Sequence, residues 1–232
     1  FAYEYMEENY GIDRNKVFYI PHGLDIEEFD KNMNLNEDIL DEKLRDILDN
    51  YFCITYTGAL SKSEGLATFV ESAKYLKSIN DIKLVIVGGG SEKAKLEKTI
   101  EEQNLTNVVM IDRQPKNTMA LTLKKSKILF CGLMEREAFK YGISKNKFYD
   151  YMAAEKPIIF ASSVRGSLIN KANAGLTIEP NDPENLARTI KHMYENIDTI
   201  GKQYGKNGRK FVESNHTNEI IAEQFLEVIS KS

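Results

Sequence analysis

A doubly wound α/β domain, with a parallel sheet covered by helices on both faces, is the fold class this sequence predicts, on three observations. From residue 52 onward, short apolar runs alternate with segments of helical periodicity. The runs are rich in Val, Ile, Leu and Phe and lack apolar–polar alternation, as strands buried on both faces require. The connections between them are short, and right-handed crossovers then leave a Rossmann-like sheet as the assembly.

Six strands are expected: FCITYT (52–57), KLVIVG (83–88), NVVMI (107–111), KILFCG (127–132), PIIFA (157–161) and GLTIE (175–179). Helical patterns cover 65–79, 91–104, 116–126, 145–155, 166–173 and 183–195. Outside this core, 1–16 reads as a helix ending near Gly11, and 31–50 as a charged, partly amphipathic segment. Two further helices, 198–213 and 217–230, close the chain; the last gathers Ile221, Phe225, Val228 and Ile229 on one apolar face.

At 232 residues the chain has room for one large domain plus appendages. A formal net charge of -4 argues against a nucleic-acid binder, which would carry a basic face. No run approaches the roughly 18–20 apolar residues that span a bilayer. The acidic opening FAYEYMEENYG does not read as a signal peptide, and the cysteine usage leaves the cytoplasm as the expected compartment. It lacks an initiator Met and begins inside a helical pattern, which reads as a fragment of a longer protein. Cys53 and Cys131 sit inside predicted strands and read as buried free thiols. With no CxxC and three histidines far apart in sequence, no zinc site is expected, and no other metal or cofactor is called for.

In open α/β sheets ligands bind beyond the carboxyl ends of the strands, where helix N-termini present unpaired N–H groups. The first such loop, TGALSKSEG (57–65), offers Gly58 for close approach and Lys62 and Glu64 as charges; a plain turn into the helix is the competing reading. Gly88, Gly89 and Gly90 follow the second strand and end at Ser91, a candidate N-cap. They suit a phosphate cradle or a tight connection equally, since G-x-G-x-x-G spacing is absent. Arg113 after the third strand could fork onto phosphate.

The fourth connection is the informative one. LMEREAFKYGIS is longer than most such loops. Ser144 then reads as an N-cap, with Lys145, Asn146 and Lys147 in the first helical turn. Lysines are poor choices at the positive end of a helix unless an anion binds there, and diphosphate is the natural candidate. Asp150 shares a helix face with Asn146 and Lys147, at a suitable distance for ribose hydroxyls; pairing with Lys147 is the alternative.

Together these segments resemble the C-terminal, donor-binding domain of GT-B-fold glycosyltransferases, specifically the large retaining family 4 (group 1). The segments are VFYIPHGLDIEEF (17–29), YTGALSKSEGLATFVESA (56–73), LVIVGGGSEKAKLE (84–97), GISKNKFYDYMAAEKPII (142–159) and ANAGLTIEPNDPENLARTI (172–190). The resemblance implies a transferase of a sugar from a nucleotide-diphosphate sugar to a saccharide or lipid-linked acceptor, in bacterial polysaccharide or glycolipid synthesis. The G-I-S-x-N-K-x-x-D-Y-M-A-A form points toward UDP-linked donors. Implied donor-binding residues are Gly58, Lys62, Gly88, Gly89, Arg113, Glu135, Ser144, Asn146, Lys147 and Asp150; no catalytic residue is assigned.

The sequence departs from the family pattern in three places. The family's Arg and Lys on the first loop align with Ala59 and Glu64, and the first acid of its E-x7-E motif aligns with Gly142. Glu135 or Glu137 is the candidate replacement for that acid. By resemblance, 1–30 is the end of an N-terminal domain and the junction, 31–215 the nucleotide-sugar-binding domain, and 216–232 a C-terminal helix crossing back. The absent N-terminal domain would be a partner for activity, and a lipid-linked acceptor would bring peripheral attachment at the inner face of the membrane. A non-catalytic nucleotide-sugar-binding subunit and a GT-B sugar-nucleotide epimerase are the alternative readings.

Overall fold

Strand order β3-β2-β1-β4-β5-β6, all parallel, defines the molecule. The structure, a computed structural model, describes residues 2–135, 139, 143, 145–164 and 166–230. The strands are β1 (Phe52–Ala59), β2 (Ile82–Gly89), β3 (Val108–Ile111), β4 (Ile128–Gly132), β5 (Ile158–Ala161) and β6 (Gly175–Ile178). This is the expected Rossmann-like sheet. All six predicted strands are present. Continuous apolar runs produce it because a strand covered on both faces has no solvent side to keep polar.

The two faces are packed by different helices. On one, α4 (Leu66–Ser72), α5 (Lys93–Glu102) and α9 (Pro183–Glu195) cover Phe52, Ile54, Tyr56, Leu84 and Ile86. On the other, α3 (Glu42–Asn50) covers Cys53, Val85 and Val87. Beside it α6 (Met119–Lys125), α7 (Asn146–Ala153) and α10 (Lys202–Asn215) cover Leu129, Cys131, Ile158 and Phe160. Cys53 and Cys131 are free and buried on that side, as expected.

Several helices differ from the sequence reading. The segment 31–50 holds the last turn of α2 (Ile26–Met33), a 3-10 turn over 37–39 and α3, and each of the two helices is started by its own aspartate. Asp25 accepts from the Glu28 N–H at 2.8 Å and Asp41 from the Leu44 N–H at 3.0 Å. The first helix, α1 (Ala2–Tyr10), ends before Gly11 as expected. The pattern 65–79 stays α-helical only to Ser72 and tightens to a 3-10 turn over 73–76. Ser91 does not cap α5; Glu92 holds that position, without a side-chain hydrogen bond. The expected helix 166–173 shrinks to one turn, α8 (Leu168–Lys171), capped by Ser167.

Arg209 on α10 ties the junction segment to the core. Its guanidinium donates to Asp30 on α2 through both terminal nitrogens, at 2.6 and 2.7 Å, and to the Ala153 carbonyl at 3.0 Å. The final helix, α11 (Asn218–Ser230), buries none of its residues, and Phe225, Leu226 and Ile229 remain exposed.

Candidate functional site

The order of strands reverses between β1 and β4, so the crevice at their carboxyl ends is where this topology accepts a ligand. Helix α7 starts there and lies close against the end of β1. Buried Tyr151 fixes it, its hydroxyl accepting from the Thr57 N–H at 3.0 Å. Phe148, Met152 and Ala153 turn into the core, as the pattern predicts.

The helix begins at Asn146, not at a serine cap. Lys145 occupies the N-cap position and supplies no side-chain hydrogen bond to the first N–H groups of α7. Ser144 and Gly142 lie outside the described residues, as does Glu137. Asn146 is exposed at the first helical position.

A charge cluster fills the space between β1, β4 and α7. The Lys145 ammonium donates to both Glu64 oxygens at 2.9 Å and to the Gly132 carbonyl at 3.0 Å. Lys147 donates to Glu64 at 2.8 Å and to the Tyr56 hydroxyl at 3.0 Å, and its nitrogen stands 4.1 Å from the centre of the Tyr56 ring. The three charged side chains are only 12–17% exposed. Burial alone would raise the Glu64 pKa, but Lys147 and Lys145 outweigh it and hold the carboxyl below its ordinary value. Burial also pushes the Tyr56 hydroxyl well up, so it stays protonated and passes its own hydrogen bond to the Ala59 carbonyl at 2.7 Å.

Gly58 leaves room for this arrangement: a Cβ there would stand 3.1 Å from the Lys147 nitrogen. Gly88 has a different reason. A Cβ on it would fall 1.9 Å from the Gly58 carbonyl oxygen, so this glycine permits close packing of the two strand ends. Gly89 faces open space and is partly exposed. Lys62, Arg113 and Glu135 are exposed.

Asp150 points elsewhere than Lys147. It lines a cleft of about 510 Å³ with Gly23, Asp25, Lys116, Asn117 and Met119, between α2, α6 and α7. That volume suits a small-molecule site. Burial, partly countered by Lys116, pushes the Asp150 carboxyl up to about 6 from 3.8. The alternative pairing of Asp150 with Lys147 is not what the structure has, because Glu64 and Tyr56 take the lysine. The first two turns of α7 therefore serve two neighbouring features, a cation cluster and a cleft with a buried acid.

Glu64 and Lys145 are the residues that sequence reasoning missed as a unit. In the sequence Glu64 reads as a loop charge and as the loss of a family cation, not as the partner of these lysines. The available signal was the pair of lysines at a helix start, which calls for an anion; this chain supplies one itself.

The profile of the family "Glycosyl transferases group 1" matches residues 40–211, most of the chain. The chain belongs to the group 1 glycosyltransferases. Similar proteins include the capsular polysaccharide biosynthesis glycosyltransferase CapM of Staphylococcus aureus, 27% identical over 88% of this chain and 51% of that protein. O-antigen chain mannosyltransferase C of Escherichia coli is 25% identical over 77% of this chain and 46% of its own length. The chain thus spans about half the length of these relatives.

Among solved structures, a glycosyltransferase from Rickettsia africae superposes with a TM-score of 0.80 at 22% identity, covering 99% of this chain and 61% of that one. The Anabaena protein HepE in complex with UDP gives 0.78 at 14% identity, covering 96% of this chain and 59% of that one. These likenesses establish the shared fold. Among the described residues, no helix is long and apolar enough to cross a membrane.

Proposed function

We propose that this group 1 glycosyltransferase chain is the donor-binding half of a retaining enzyme. It would take a nucleotide-diphosphate sugar, UDP-linked, and transfer the sugar to a saccharide or lipid-linked acceptor in polysaccharide or glycolipid synthesis. The observation that carries this reading is the lysine cluster at the start of α7, beside the cleft that holds Asp150. The Lys147 ammonium and the helix N-terminus at the switch point match a diphosphate. A half-buried carboxyl one turn further along matches ribose hydroxyls.

In this reading charge gathers on the leaving diphosphate as the glycosidic bond breaks. Lys147 and the first N–H groups of α7 stand ready for it and need no reorganisation. Asp150 and Lys116 orient the nucleoside in the cleft. The nucleotide sugar is a substrate, and the proposal assigns no resident cofactor or metal. The acceptor and the groups next to the reacting carbon would come from an N-terminal domain, so the chain alone binds donor without turnover. A lipid-linked acceptor would bring the whole enzyme to the inner face of the membrane.

The family cations missing from the first loop and the missing first acid of the E-x7-E motif are what favour a non-catalytic subunit. Lys145 and Lys147 supply cations at the same crevice from a different element, which favours the transferase. The relation of HepE to UDP supports a uridine nucleotide by analogy of fold.

Calorimetry with UDP, GDP and ADP tests the reading. Expected is UDP binding tighter than about 1 mM, near -4 kcal/mol, with Asp150→Ala weakening UDP more than pyrophosphate. Equal losses for both ligands would remove the ribose role from Asp150.

A further inference from the structure

We propose that Glu64 is a built-in counter-ion of the diphosphate site: it neutralises the lysine pair while the site is empty and lowers its affinity for anions. The inference rests on the donor-site reading above, and it adds a residue that opposes binding to those that favour it.

The geometry argues for this in three steps. First, the cluster carries two positive charges and one negative, all largely buried, so Glu64 removes half of the positive charge presented to the crevice. Second, the two lysines are not equivalent. The three N–H donors of Lys145 are matched by three acceptor contacts, two from Glu64 and one from Gly132. Lys147 has two hydrogen-bond partners among the described residues, Glu64 and Tyr56, which leaves one donor beside Gly58. Lys147 is therefore the ammonium that meets an incoming phosphate oxygen, and Lys145 is the tether that fixes Glu64 to β4. Third, the carboxylate that grips Lys147 stands one ammonium away from that oxygen. A like charge about 5 Å from a phosphate, at an effective dielectric near 20, weakens binding more than tenfold.

Glu64 thus stabilises the empty cluster, which would otherwise hold two unpaired buried ammonium groups, and repels the bound diphosphate. Both effects act in one direction. Removing the charge raises the energy of the empty site and lowers that of the occupied one, so anions bind more tightly. For a transferase the consequence is release: a spent nucleoside diphosphate leaves a site whose own anion is ready to replace it.

The test is titration of pyrophosphate and of UDP into the chain and its Glu64→Gln and Glu64→Asp variants, with circular dichroism to confirm folding. Glu64→Gln is expected to bind both ligands at least about tenfold more tightly. Glu64→Asp, which keeps the charge, should stay within about threefold of the parent chain. Unchanged or weaker pyrophosphate binding by folded Glu64→Gln would overturn the proposal. So would an absence of pyrophosphate binding in both parent and variant. If Glu64→Gln does not fold, Lys147→Met carries the test: it should lose pyrophosphate affinity at least tenfold, and unchanged affinity would overturn the assignment. Failure of the donor reading looks different: pyrophosphate binds and responds to Glu64, while UDP binds no better than pyrophosphate.

Discussion

Asp150 is held in its cleft at a cost to folding. Its carboxyl titrates near 6 in the folded chain against 3.8 ordinarily, with burial as the cause. A carboxyl with a raised folded pKa favours the folded state while protonated, and stability falls as pH rises through the window from 4 to 6. Above that window the folded chain carries a poorly solvated charge. Asp150→Asn should therefore stabilise the ligand-free chain by about 1–2 kcal/mol at pH 8, less than the full shift because the carboxyl is partly open to solvent. At pH 4 the two proteins should melt together. Thermal melts at both pH values check this, and an equal difference at each would exclude titration as the cause. A residue retained against stability is more simply explained by a ligand than by packing. Its presence on α7 was legible in the sequence from helical spacing. The opposed directions of Asp150 and Lys147 were not, because a shared helix face does not specify which tertiary partner captures a long flexible side chain.

At the scale of elements, the packing of β2 against the end of β1 fixes the start of the loop that carries Glu64. Gly88 meets the Gly58 carbonyl with no space for a methyl group. Gly88→Ala should cost about 1–3 kcal/mol through overpacking, and it should loosen the loop after β1 that carries Glu64. Chemical denaturation measures the first effect; a wild-type midpoint would contradict the close packing. The six strands were legible because continuous apolar runs bounded by turn residues have few other solutions. The start of α2 was harder to read. Pro21 and Gly23 obscure the segment, and the helix is made by the Asp25 cap and by packing on α6 and α7. The start of α7 lies one residue later than the sequence reading put it, with Lys145 at the N-cap position and Asn146 as the first helical residue.

For the whole molecule, the strand order 3-2-1-4-5-6 converts a set of separate loops into one site. Residues 56–64, 132, 145–150 and 116–117 are far apart in sequence and lie together at the carboxyl edge of the sheet. The short motifs indicated the family, and the topology explains why they converge. What the sequence could not convey was the exchange of roles within that edge, with an acid on the first loop and cations on the fourth. Backbone amide resonances followed by NMR during a UDP titration test the central claim most directly. The account predicts the largest shifts at Asn146–Asp150, Gly58, Lys116 and Asn117. Shifts confined to another surface, such as the groove along Lys171, Asn207 and Asn215, would contradict it, as would no shift at millimolar UDP.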